Sequence, residues 1–350
     1  MDKIIKHLKP SRIIIPILIG VSVSAWLVYR SFDKEAFSFV QFSWHTILFI
    51  GVAILMMVVR DVSYMYRIIV LTDSKLTWKQ AFNIIILWEF SSAVSPSVVG
   101  GTAPAIFFLH KEGVSVGRST AVVLTAIFLD EVFFIVSVPL VYLFYGNHIF
   151  PPGADHYTDI VYGFFISYGI ILLYTLALAY ALFINPYVLK KSISWLFLFP
   201  LLRRWRMQTR KFANQLIQTS KIIRKKPAGY WIKSMLATIF SWTGRYWVAN
   251  FLLMAFFVQS HNFHEQFLIY GRQLTMWIIL LISPTPGGSG IAEYIFVVFL
   301  RDFIPGASWG ATLAIFWRLI SYYPYLFMGV VVLPVWVRKV YKKSKKYEKI

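Results

Sequence analysis

The sequence predicts an all-α polytopic membrane protein, with about six full spans and two re-entrant helical hairpins arranged as an inverted repeat. Three observations predict it. Of 350 residues, 58% are hydrophobic and only 14% charged, a balance foreign to soluble domains of this length and usual in multi-span membrane proteins. Apolar runs long enough to cross a hydrocarbon core about 30 Å thick recur along the chain. Two of those runs are interrupted near the middle by similar Ser-Pro and Gly-Gly turns.

The first run, 13–29, follows Lys3, Lys6, Lys9 and Arg12. It is too long for a signal core and has no convincing small-residue cleavage site, so it reads as a retained span. Further spans are predicted at 45–68, 119–144, 160–183, 232–258 and 309–336, with the interrupted stretches at 81–109 and 267–300.

Lysines and arginines orient these elements. With the N-terminus in the cytoplasm and both interrupted stretches returning to their side of entry, cytoplasmic segments hold 28 basic residues and outside segments 3. Making 81–109 a full crossing would put the eleven basic residues of 184–230 outside, against the orientation rule. Ala103 to Lys111 and Ile291 to Leu300 would each be about 15 Å long as helices, half a hydrocarbon core. The expected organisation is a single membrane domain over 1–350. It comprises a repeat unit 45–144, a cytoplasmic amphipathic connector 184–230, an inverted unit 232–336 and a basic cytoplasmic tail 338–350.

The two breaks, "SPSVVGGTAP" (Ser95 to Pro104) and "SPTPGGSGIAE" (Ser283 to Glu293), match in kind. Irregular backbone at membrane depth is tolerated only where protein or a water-filled cavity satisfies it. Gly100 and Gly101 in the first break, and Pro286, Gly287, Gly288 and Gly290 in the second, precede short helices whose free N–H groups suit an anion. Inverted repeats with broken helices place substrate at the repeat interface.

Ionisable residues inside the apolar segments are costly and usually face a cavity or one another. They are Glu89, Asp130, Glu131, Arg245, Arg272, Glu293 and Arg318. Either they are structural ion pairs, or the arginines hold a lipid phosphate while the carboxylates take a cationic group or a coupling proton. Glu293, at the third position of its helix, could equally cap it.

Other chemistries find little support. The net charge of +20 sits at span ends, where anionic headgroups explain it, and no soluble module exists to bind nucleic acid. The connector, with Trp195, Trp205, Arg203, Arg204, Arg206, Arg210 and Lys211, reads as a stretch lying on anionic lipid. There is no cysteine, which excludes disulfides and thiolate metal sites. His261 and His264 are a weak metal signal, no P-loop appears, and "GGSG" lacks the histidine base of an intramembrane serine protease. No cofactor is expected, and a transferase using Glu89, Asp130 or Glu293 as base lacks a nucleophile.

"PTPGGSGIAE", "HKEGVSVGRSTAVVLTAIFLDE" (His110 to Glu131) and "FWRLISYYPYLFMGVVVL" (Phe316 to Leu333) resemble the lysylphosphatidylglycerol synthase transmembrane family, also called flippase-like domain proteins. The resemblance covers roughly 10–340. It implies a domain that moves a phospholipid or lipid-linked molecule between leaflets through a cavity flanked by re-entrant helices. In some members that domain accompanies a cytoplasmic aminoacyl transferase or a glycosyltransferase. Here the chain ends at a basic tail, which leaves any lipid-modifying enzyme to a separate protein. The first break departs from the family, reading "SVVGGTAP" where Pro-Gly-Arg is frequent.

The expectation is therefore a non-enzymatic lipid flippase of an inner membrane, with cytoplasmic termini. Its site is expected at Glu89, Ser95, Gly100, Gly101, Asp130, Glu131, Arg245, Arg272, Ser283, Pro286, Gly287, Gly288, Gly290, Glu293 and Arg318. The alternative is a scaffold subunit for a lipid-linked glycan or lipid-modifying enzyme; a homo-oligomer stays open.

Overall fold

The computed structural model describes residues 43–95, 101–154, 157–185, 187–188, 217–218, 220–257, 262–280, 290–305 and 307–347. The predicted span 13–29 and most of the connector lie outside these residues. Ten α-helices and no strand occur among them: α1 (Trp44–Leu71), α2 (Trp78–Val94), α3 (Thr102–Lys111), α4 (Val116–Tyr145), α5 (Tyr157–Ala179), α6 (Ala228–Phe256), α7 (Phe263–Leu280), α8 (Ile291–Leu300), α9 (Ala307–Ser321) and α10 (Tyr323–Tyr347). The chain is an all-α membrane protein.

Local chemistry sets the helix starts. The Ser43 hydroxyl accepts from the Thr46 N–H at 3.2 Å to open α1. At α2, Thr77 Oγ1 accepts from the Gln80 N–H while Gln80 Oε1 accepts from the Thr77 N–H, a reciprocal cap that satisfies two otherwise orphaned donors. α2 stops at Ser95, the residue before Pro96, where the proline ring disfavours helical backbone.

α1 and α6 run antiparallel through the centre. Tyr230 donates to the Leu71 carbonyl at 3.3 Å, Ser241 donates to the Arg60 carbonyl at 3.2 Å, and the Phe49 and Phe251 rings lie 6.3 Å apart. The crossing is tight at Gly244, where an added Cβ would come within 2.8 Å of the Met56 carbonyl oxygen.

Among the described residues, four segments are long and apolar enough to cross a membrane: Trp44–Leu71, Val116–Ile149, Tyr157–Ile184 and Trp309–Val340. Their outward faces carry bare apolar side chains such as Leu143, Ile166, Leu173 and Val331, a surface that suits lipid and not water. α6 is not among them although, at about 43 Å, it is long enough. Its Ser234, Thr238, Ser241 and Asn250 are fully buried, with Ser234 and Thr238 donating to carbonyls one turn back, so protein, not lipid, surrounds its polar face.

Two clusters mark opposite poles. At the first, Asp73 pairs with Arg118 and with Lys226, joining the end of α1 to the starts of α4 and α6. Gln80 donates to Glu112 at 2.8 Å, bringing the start of α2 to the end of α3, and Trp336 of α10 donates to the same carboxylate. At the second, Tyr145 donates to the His264 carbonyl, Arg301 donates to the Pro152 carbonyl, and the Phe256 and Trp309 rings pack at a tilt, 5.6 Å apart. Hence α2 and α3 leave from and return to the first pole, α7 and α8 to the second. The lengths correspond, 17 and 10 residues in one pair and 18 and 10 in the other.

One predicted element differs. The span 309–336 is two helices meeting at Tyr322. Pro324 has no N–H to give to residue 320, and the Tyr325 N–H bonds the Tyr322 carbonyl instead.

Candidate functional site

A cavity of about 220 Å³ lies between the two helix pairs, lined by Glu89 of α2, Asp130 and Glu131 of α4, Arg67 of α1, Arg245 of α6 and Arg318 of α9. Trp88, Trp242, Trp277 and Trp317 supply much of its apolar wall. The break after α9 bounds it too, through Tyr322 and Tyr325.

Arg60 anchors one flank. It is fully buried, pairs with Asp61 and Glu89, and lies over the rings of Tyr64 and Tyr325 at 4.6 and 4.8 Å. Tyr325 donates to Asp61 at 2.8 Å, tying α10 to the same node. Arg67, one helical face along, grips Asp130 with both terminal nitrogens and donates to Thr238 at 3.0 Å; Trp242 Nε1 donates to the same carboxylate at 2.7 Å. The charge tally placed these two arginines in a cytoplasmic segment 60–80, although both fall within the predicted span 45–68. The structure places both inside α1, which removes two from the cytoplasmic tally and leaves its sign intact. Their signal was present: Arg60, Tyr64 and Arg67 fall at the i, i+4, i+7 spacing of one helix face.

Arg245 is held more loosely. It reaches Glu89 at 3.6 Å, keeps about a fifth of its side chain exposed, and lies over Trp242 and Trp277 at 5.8 and 5.4 Å. Arg318 pairs with Glu293 Oε1 at 2.8 Å, while Glu293 Oε2 accepts from the Gly290 N–H at 2.7 Å. Glu293 is thus both helix cap and ion-pair partner, and its carboxylate already occupies the start of α8. Gly290 has φ +82°, a left-handed conformation natural to glycine.

Of the remaining expected site residues, Arg272, Ser95 and Gly101 stand apart from the cavity lining. Arg272 does not line the cavity: it binds Asp302 and the carbonyls of His148 and Phe299 at the second pole, all at 2.8–3.0 Å. Its only sequence partner signal, Asp302, lies in a short connecting turn that drew no attention. Ser95 donates to the Ser91 carbonyl within its own helix. Gly101 starts α3 packed so closely on α2 that a Cβ would strike Ser92 and Trp88. Gly100, Ser283, Pro286, Gly287 and Gly288 lie outside the described residues. No cluster of three or more metal-ligating side chains occurs among the described residues.

The family model for the lysylphosphatidylglycerol synthase TM region matches residues 13–329. A UPF0104 membrane protein of Archaeoglobus fulgidus is 25% identical over 266 residues, covering 73% of this chain and 76% of that protein. No solved structure matches the chain.

Proposed function

We propose a function from one premise: the chain belongs to the lysylphosphatidylglycerol synthase TM region family. The proposed activity is translocation of an anionic phospholipid or lipid-linked molecule between leaflets, with no bond made or broken. The headgroup passes through the cavity between α2–α3 and α7–α8, and the acyl chains stay in lipid. The membrane is an inner membrane with both termini cytoplasmic, the orientation the charge count favours.

The observation that carries this reading is the lining itself. Three arginines and three carboxylates converge on one cavity inside a molecule whose outer surface is apolar. Charges inside apolar helices cost a few kcal/mol each and are kept where they pair with one another or line a polar path. Arg245 is the cation best placed to receive a phosphate, because its pairing with Glu89 is long and its remaining contacts are aromatic faces that leave the guanidinium edge free to donate. In this reading the two helix pairs from opposite poles serve as the re-entrant hairpins around which inverted-repeat transporters alternate access.

Purified protein in liposomes should accelerate leaflet exchange of a fluorescent phosphatidylglycerol above that of protein-free vesicles. Arg245→Ala should slow it roughly tenfold or more, the loss expected for a charge-assisted hydrogen bond to the phosphate. Wild-type protein that leaves exchange of anionic lipids at the protein-free rate would overturn translocation and favour a scaffold for a lipid-modifying enzyme.

A further inference from the structure

Four arginines and five carboxylates lie in or beside the cavity among the described residues. Arg60 pairs with Asp61 and Glu89, Arg67 with Asp130 and Arg318 with Glu293, while Arg245 shares Glu89. These charges cancel. The fifth carboxylate, Glu131, lines the same cavity with no ion-pair or hydrogen-bond partner among the described residues, and its Oε2 is buried.

The surroundings favour a neutral acid. Asp130 precedes Glu131 on α4, and a second carboxylate beside the first disfavours two negative charges. From the packed helices, Tyr64 and Arg67 of α1, Tyr174 of α5, and Arg245 and Tyr246 of α6 line the cavity; α3 and α7 contribute no titratable side chain to it. Arg67 is engaged by Asp130 and Thr238, and Arg245 by Glu89. Among the described residues an ionised Glu131 would leave one uncompensated negative charge in a low-dielectric wall, which costs several kcal/mol and is relieved by taking up a proton.

We propose that Glu131 is a proton-binding site of the cavity, and that its proton is the coupling ion of the translocation proposed above, on which this second part rests. One proton from water converts the carboxylate to the neutral acid; nothing else changes covalently. A phosphate arriving at Arg245 adds negative charge to a cavity whose arginines are already matched, so headgroup and proton bind with positive linkage, each raising the affinity for the other. A proton gradient then biases the direction in which the headgroup leaves.

Two readouts test this on the full chain in liposomes. Difference infrared spectroscopy at neutral pH should reveal a protonated carboxyl band that shifts in deuterated water and is lost in E131Q but kept in D61N. A band unchanged in E131Q overturns the proton site and means that Glu131 is ionised against a cation, such as the amine of a bound headgroup. Exchange of fluorescent phosphatidylglycerol should depend on an imposed pH gradient in the wild type, and E131Q should lose that dependence while remaining folded by circular dichroism. Wild-type exchange that ignores the gradient overturns the coupling. Absence of wild-type exchange overturns both the coupling and the translocation reading, and the infrared result still decides the proton site.

Discussion

Arg60 carries the heaviest structural load of any single side chain around the cavity. Removing it leaves the half-buried Asp61 and Glu89 with a missing partner, and breaking a pair with a fully buried member costs up to about 3–5 kcal/mol. Arg60→Ala should therefore lower the thermal midpoint of the detergent-solubilised protein sharply, whereas Arg245→Ala should change stability by only about 1 kcal/mol, because its charge is partly exposed and its pairing long. Equal losses in the two variants would contradict this division between structural and cargo-facing arginines. Arg272 belongs with Arg60: Arg272→Ala should destabilise, and a further Asp302→Ala should add little, since both remove one pair. At this scale the sequence made Glu89, Asp130, Glu131, Arg245 and Arg318 legible, because ionisable groups in apolar helices are conspicuous. It hid Arg60 and Arg67 because a basic residue near the end of an apolar run has two explanations, and a one-dimensional count chooses the flank. It misplaced Arg272 because burial against Asp302 and two carbonyls is a tertiary fact.

Among the elements, the short helices α3 and α8 were legible to within a residue, since Gly-Gly and Ser-Pro turns fix where a helix can begin. The break at Tyr322 was not, because a proline in a long apolar run is compatible with either a kink or an interruption, and of Pro324 and Pro334 the second lies inside α10; the Tyr322 hydroxyl bond to the Ala93 carbonyl, 3.0 Å away on α2, is part of what holds the break. The α1–α6 crossing rests on the missing side chain at Gly244. Gly244→Ala should cost about 1–3 kcal/mol by overpacking, because the obstacle is the Met56 backbone. Gly329→Ala should cost at least as much, because an added Cβ would come within 2.3–2.5 Å of Phe90, its Cβ included, which no turn of the ring moves away. Thermal unfolding measures both losses, and a Gly244→Ala protein as stable as the wild type would contradict the account of the crossing.

For the whole molecule, the two poles decide the architecture. The Asp73 clamp ties three helices together at the first pole. Burial alone would raise the Asp73 carboxyl, but hydrogen bonds from Lys226 and Arg118 and their charges outweigh it and hold it below the ordinary carboxylate value. A lowered folded-state value means the clamp stabilises above the ordinary carboxylate range and is lost as the pH falls through that lowered value. Asp73→Asn should therefore reduce the thermal midpoint at neutral pH and converge with the wild type in strong acid. The gap should be modest and shrink with salt, because a third of the Asp73 side chain is exposed. The pairs α2–α3 and α7–α8 start from opposite poles, and the charge asymmetry in the sequence keeps its sign after the transfer of Arg60 and Arg67 into α1. What no linear pattern contained was the full lining of the cavity, since its walls come from helices distant in the chain.

The absence of cysteine permits the most direct test of the central claim, that the headgroup passes through this cavity. Ser92, in the cavity wall, and Ile166, on the outward face of α5, can each be replaced by a single cysteine and modified with a bulky thiol reagent in liposomes. Modified Ser92→Cys should lose leaflet exchange of fluorescent phosphatidylglycerol, and modified Ile166→Cys should keep it. Exchange that persists after complete modification of Ser92→Cys would place the path elsewhere and contradict the account.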